Sequence, residues 1–310
     1  MLKKIYNNFF NTIPSEYVYV SRLALSQIVS IEDIDMFLQQ NFEPKVNDKS
    51  VTIVRCLEEL GLQILVEILK ERGIDVGEIL NKQNYSNIKH VIYENRMIIS
   101  SVFENARAAA KEYFSTILGN SKIVCVVDVG WYGTCTRGII DFVKKHMRWE
   151  GMIFGAQIGI ECGKQNVELY AQGLINAYIF SPDYNRYIYK LHDFKIGNVL
   201  NEIVFCAPEP SLLNYGFDDD GKIKLIFTNE PNENIDMVNR VQRGIYEYVI
   251  KYCEIEKKLG MQLTISPDAA YEPVLNICRN RNYINKLFGK YYVHRFASAS
   301  DMDGEFVHRI

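Results

Sequence analysis

Residues 123–134 read IVCVVDVGWYGT, and the fold turns on them. Ile123 to Val127 is a continuous apolar run of strand length. A run apolar on both faces suits a central parallel strand buried from both sides. It ends in Asp128, and Gly130 and Gly133 follow at once. A helical pattern comes next through Ile139, Ile140, Phe142, Val143 and Met147, then a second strand candidate, Met152 to Ile160, containing Gly155, Ala156 and Gly159. Strand, Gly-rich turn, helix, strand is a βαβ unit.

Upstream, Leu2, Ile5, Tyr6, Phe9 and Phe10 share one helical face, which Asn11 and Pro14 end. Tyr17 to Val20 (YVYV) is an uncharged β-prone run leading straight into Ser21-Arg22. The spacing predicts one helix over 51–72 with Gly73 as its C-cap, and another from 97 to 118 stopping at Gly119-Asn120. Downstream, 174–180 and 222–228 read as strands, with a hairpin turn at Asp218-Asp219-Asp220-Gly221. Residues 235–258 form an amphipathic helix, 271–288 are helical, and the last fifteen residues are polar. The expected fold is α/β. A Rossmann-like parallel sheet occupies residues 1–160, and a mixed α+β and helical region occupies 161–310.

The 310 residues carry 35 basic and 38 acidic side chains, a net charge of −3, which argues against a basic nucleic-acid surface. No stretch approaches the ~20 apolar residues of a membrane span, and the N-terminus lacks signal-peptide features. A soluble cytoplasmic protein is expected. The seven cysteines form no CxxC pair and mostly sit in apolar runs, as buried reduced thiols do. The five histidines form no HxH or HxxxH pair, so no local metal site is visible.

In an open parallel sheet, ligands bind at the carboxyl ends of the strands, where Asp128 is expected. Gly130 and Gly133 permit a tight turn around Trp131 and Tyr132, with backbone N–H groups facing inward. The next helix adds its free N–H groups and positive dipole end. Thr134 and Thr136 supply hydroxyls. Such a loop can hold a phosphate or pyrophosphate, with Asp128 on a ribose hydroxyl or on a water of Mg²⁺. Arg22, after Ser21, offers planar donors for a phosphate. Trp131 and Tyr132 can stack on a base or sugar. Glu202 is either a ligand acid or a helix-start residue. The competing reading is a capped βα turn without a ligand, with Arg22 in an ordinary ion pair. The phosphate reading requires Asp128 on a central strand; an edge position removes its premise.

The run VVDVGWYGTCTRGI, residues 126–139, resembles the "VDIGWxGTxQxxL" signature of a bacterial family found in the C-terminal half of some haloacid-dehalogenase-like (HAD) proteins. The resemblance extends to Leu2–Tyr6 with Tyr17–Ala24, to EIVFCAPEPSLLNY at 202–215, to Pro267–Tyr271 and to Leu287-Phe-Gly289. It implies a setting in surface-polysaccharide synthesis, beside glycosyltransferases. HAD phosphatases place their nucleophile in a DxDx[TV] motif, and this chain has none: Asp33-Ile-Asp35 continues into Met36-Phe37. In the resembled proteins a HAD domain and an SRDG strand precede the segment equivalent to Leu2. The chain therefore resembles the downstream half alone, and phosphatase chemistry is not expected of it.

A more distant resemblance is to type I phosphoribosyltransferases. They carry two acids and a phosphate loop at a buried strand end. Asp128 matches the second acid and Gly133 a loop glycine, while Val127 stands at the first acid's place. Two functions are expected from all this. One is an accessory protein of surface-polysaccharide synthesis that binds a phosphorylated sugar or nucleotide-sugar-type molecule at 128–136. The other is a non-catalytic interaction module or truncated gene product, with a HAD phosphatase domain or a glycosyltransferase as partner.

Overall fold

The computed structural model describes residues 2–9, 13–29, 34–49, 51–161, 167–192, 196–205, 207, 209–228 and 235–280, together with 282 and 286. Phe10, Asn11, Asp33, Cys162, Cys206, Pro208, Leu287–Gly289 and the last fifteen residues lie outside them.

The chain opens with α1 (Leu2–Phe9) and α2 (Arg22–Val29). Then α3 (Ile34–Asn41), α4 (Ile53–Glu59), α5 (Gln63–Glu71), α6 (Lys82–Glu94) and α7 (Arg96–Val102) enclose a helical core around Phe37, Leu57, Leu65 and Ile92. The single helix expected over 51–72 is two. Gly61, at φ 72°, takes the left-handed conformation that ends α4, and Leu62 N–H returns to Leu57 C=O at 2.9 Å. The helix expected from 97 is likewise split. Phe103 turns into the helical core, and α8 (Glu104–Leu118) starts after it.

The chain then enters β1 (Ile123–Trp131), α9 (Thr134–Asp141) with a π-helical turn at 142–146, and β2 (Met152–Ile160). After α10 (Val167–Ala171) comes β3 (Ile175–Phe180). These strands form a parallel sheet in the order β1-β2-β3, with Asp128 beside Gln157 and Gly155 beside Ile175. The structure is thus mixed α/β around a three-stranded parallel sheet. β3 lies beyond residue 160, so the expected domain boundary falls inside the sheet.

One expectation is corrected here. Among the described residues IVCVV is not a central strand buried on both faces: β1 is an edge strand there, and β2 holds the centre. Val124 and Val126 turn toward a core formed by α2, α8 and α9. Ile123 and Val127 turn the other way and stay 65% and 69% exposed, and Cys125 between them is exposed. An apolar run on both faces marks a strand meant to be covered twice. Over Ile123 to Val127, only one cover is present within the described residues.

YVYV is corrected as well, from strand to extended segment. Tyr19 N–H donates to the Tyr113 hydroxyl at 2.9 Å, and Tyr19 C=O accepts from the Tyr215 hydroxyl at 2.9 Å. With both groups held by side chains, neither can join a ladder.

The remaining elements are α11 (Arg186–Leu191), α12 (Ile196–Phe205), the antiparallel hairpin β4 (Leu212–Phe217) and β5 (Ile223–Phe227), α13 (Ile235–Leu259) and α14 (Pro267–Arg279). The hairpin turn falls at 218–221 as expected. Asp218 Oδ1 accepts Asp220 N–H and Lys222 N–H, and Gly221 sits at φ 75°. Leu212 and Tyr215 pack the hairpin into the α2–α8–α9 core. α1 finds its partner in α13, through Phe9 against Tyr246 and Asn8 Nδ2 donating to the Tyr246 hydroxyl at 2.8 Å.

The tyrosine clamp is testable. Tyr215→Phe and Tyr113→Phe should each lower unfolding stability by about 1 kcal/mol, the net worth of one hydrogen bond. Chemical denaturation should show a lower midpoint at unchanged slope. Unchanged midpoints in both variants would remove the clamp.

Candidate functional site

The carboxyl end of β1 places Asp128 between the sheet and the first turn of α9. Its side chain is on the same face as Gln157 of β2 and reaches Thr136 of α9. Asp128 Oδ1 accepts Val129 N–H at 2.8 Å, and Oδ2 lies 3.5 Å from the Thr136 hydroxyl. Gly130 N–H also bonds the carboxylate. Gln157 Nε2 donates to Thr136 Oγ1 at 3.3 Å, while Gln157 Oε1 is buried without a partner among the described residues.

Three positive-φ residues shape the loop: Gly130 at 112°, Trp131 at 72° and Gly133 at 61°. At Gly130 a Cβ would lie 2.4 Å from Gly159 C=O, so the loop backbone can touch β2 there only as glycine. Gly133 is the N-cap of α9 and, as glycine, has no side chain to donate or accept a cap bond.

Burial pushes the Asp128 carboxyl above its ordinary value, against the pull of its hydrogen bonds to Val129, Thr136 and Gly130. Cys135 is pushed up to about 12, chiefly by burial and then by the Asp128 charge, with the Arg22 guanidinium pulling the other way. That coupling places Arg22 near the same helix end. Arg22 is exposed, and its guanidinium makes no hydrogen bond or ion pair among the described residues.

The predicted residues divide as follows. Asp128, Gly130, Gly133, Thr136 and Arg22 come together at the start of α9. Ser21 is the cap of α2: its hydroxyl donates to Leu212 C=O at 2.6 Å and accepts Ala24 N–H at 2.9 Å. Trp131 is 5% exposed and stacks on both Phe180 and His192, with ring centroids at 6.0 and 5.2 Å, while those two rings also touch each other. Packing therefore consumes the ring that was a candidate for stacking on a base. Tyr132 is half exposed, and its hydroxyl bonds Glu161. Thr134 is the first residue of α9. Glu202 lies exposed on α12, inside the helix rather than at its start.

The sequence reading missed Gln157 and Cys135. It also missed the buried network under Trp131, where the Tyr271 hydroxyl meets His192 Nδ1 at 3.1 Å and accepts from Asn201 Nδ2 at 2.7 Å. Gln157 was visible in principle as the one polar side chain in a strand of small and apolar residues.

Chemically, the cluster resembles an anion cradle already filled by the chain's own carboxylate. Asp128 takes two loop N–H groups and lies 3.5 Å from the Thr136 hydroxyl in the first turn of α9. No second carboxylate accompanies it among the described residues, and no group of three metal-ligating side chains is found among them. The cluster does not fit a Mg²⁺ site of the kind two acids would make. No protein-family model matches the chain, and no curated protein matches it.

Two outcomes are expected. Thr136→Val should cost about 1–3 kcal/mol, because it strips a hydroxyl from Asp128 and from Gln157 Nε2 together. An unchanged denaturation midpoint would show that neither group relies on it. For Asp128, a carboxyl raised in the folded state binds more protons folded than unfolded. Stability therefore falls as pH rises from the unfolded value of about 4 through the folded one. Asp128→Asn should gain on wild type over that window and keep its gain at pH 7. A variant that instead loses ground as pH rises would show an ionised, stabilising carboxylate.

Proposed function

We propose that this chain is a non-catalytic association module whose half-covered sheet is completed by another polypeptide. One observation carries the reading. The amino-terminal half of one sheet face is bare and mostly apolar, with Ile123, Val127 and Met152 each 59–69% exposed around Cys125 and Phe154, and Asn176 of β3 exposed at its far side. A contiguous apolar patch of this kind marks an interaction site. The opposite face is covered by α9. The other half of the bare face is covered by the Trp131–Phe180–Tyr271 cluster. A Rossmann-like or phosphoribosyltransferase-like sheet carries helices on both faces. Reading these three strands as part of one explains why the second cover is wanting. The resemblance supplies the setting: an accessory protein of surface-polysaccharide synthesis, with a HAD-like domain or a glycosyltransferase as the covering partner. No helix among the described residues is long and apolar enough to cross a membrane.

A sugar-phosphate site at 128–136 is the second reading. The uncapped start of α9 favours it, with Arg22, which makes no ion pair among the described residues, opening the helix α2 that packs on α9. The edge position of β1 and the filled cradle at Asp128 weigh against it.

Two measurements separate them. The native chain should enhance the fluorescence of an apolar reporter dye, and Ile123→Ser with Met152→Ser should abolish most of it while the melt stays cooperative. Unchanged fluorescence would overturn the association reading. Millimolar pyrophosphate with Mg²⁺ should leave the melting temperature unchanged. An increase that Arg22→Ala or Gly133→Val removes would restore the phosphate reading.

A further inference from the structure

We infer that the free edge of β1 pairs with β1 of a second copy, antiparallel and centred on Cys125. The inference concerns the strand edge and stands independently of the face-docking reading.

The edge is open. Among the described residues, β1 is hydrogen-bonded to β2 and to no other strand, and no turn or loop backbone bond reaches its outer side from Ile123 to Val127. Lys122 C=O accepts Met152 N–H at 2.7 Å, so residue 122 faces β2. Backbone groups alternate sides along a parallel strand, which points the N–H and C=O of Ile123, Cys125 and Val127 outward. Edges are ordinarily blunted by charge, proline or a bulge. From Ile123 to Val127 this one has none of these.

The sequence is self-complementary in one register. With Cys125 opposite its own copy, Ile123 meets Val127 of the partner subunit on the bare face. Val124 meets Val126 of the partner subunit on the covered face. Lys122 stands opposite Asp128 of the partner subunit, whose carboxylate is turned into its own α9 turn, and the apolar pairing ends there. Shifting the centre to Val126 sets Asp128 against Val124 of the partner subunit and leaves Lys122 against glycine. Shifting to Val124 sets Lys122 against Val126 of the partner subunit. Only the Cys125 register pairs every residue from Ile123 to Val127 with another of the same five, apolar with apolar. It also makes all three outward residues mutually hydrogen-bonded pairs, and an isologous contact of this kind closes with no edge left over. Two three-stranded sheets become one of six strands, with both bare faces on the same side.

The test is light scattering on the full chain, from about 1 to 100 µM, with crosslinking. Wild type should approach twice the chain mass with rising concentration. Cys125→Pro removes an outward N–H and is tolerated on a solvent-facing edge; Val127→Lys puts two cations into the contact. Both should stay monomeric, and Val127→Lys should keep the wild-type melt in case the proline variant folds poorly. Hydrogen-bonded antiparallel pairs hold Cα and Cβ atoms about 5.5 Å apart, wider than an unstrained disulfide but within reach of a short bismaleimide. That reagent, which adds one thiol to each of its two maleimides, should therefore give a covalent dimer that Cys125→Ser abolishes. A wild-type monomer throughout, a dimer that survives Val127→Lys, or crosslinking independent of Cys125 would each overturn the pairing. A monomer that still binds the apolar dye would leave the face-docking reading intact, and one that binds no dye would take both down.

Discussion

Helix α9 approaches β2 so closely that a Cβ at Gly155 would lie 2.5 Å from Thr136 Cγ2. The rest of the structure follows from this contact. It sets α9 on one face of the sheet and brings Thr136 within reach of both Asp128 and Gln157. It also gives α2 a surface to pack on, through Leu25 against Gly138. The α2–α8–α9 core with the β4–β5 hairpin is built on that face, and the opposite face is left to solvent along its amino-terminal half.

The same contact explains the chemistry of the loop. A helix start pressed onto the sheet brings the chain's own carboxylate against the first turn of α9. Asp128 is then better understood as part of the turn's hydrogen bonding than as a ligand acid. Its raised proton affinity agrees, because burial rather than a cation dominates its surroundings.

Much of this was legible in the sequence. The βαβ unit, the strands at 174–180 and 222–228, the hairpin turn and the long helix from 235 came from periodicity and turn residues alone. The edge position of β1 did not. A run such as IVCVV reports that both faces are apolar, not how many neighbours it has or whether both are covered. YVYV failed for a different reason. Its propensity is for strand, but two tyrosine hydroxyls from residues 94 and 196 positions downstream hold its backbone. No local pattern announces that. In the site, glycine spacing located the turn correctly, while the role of Asp128 depended on Gln157 and Thr136, residues 29 and 8 positions away.

Amide hydrogen exchange along β1 tests the open sheet most directly, at concentrations low enough for a single chain. The amides of Val124 and Val126, facing β2, should exchange slowly. Those of Ile123, Cys125 and Val127 should exchange nearly as fast as unstructured peptide. Protection of these three as strong as that of their neighbours, at every dilution, would mean that the chain itself covers β1 and would contradict the account.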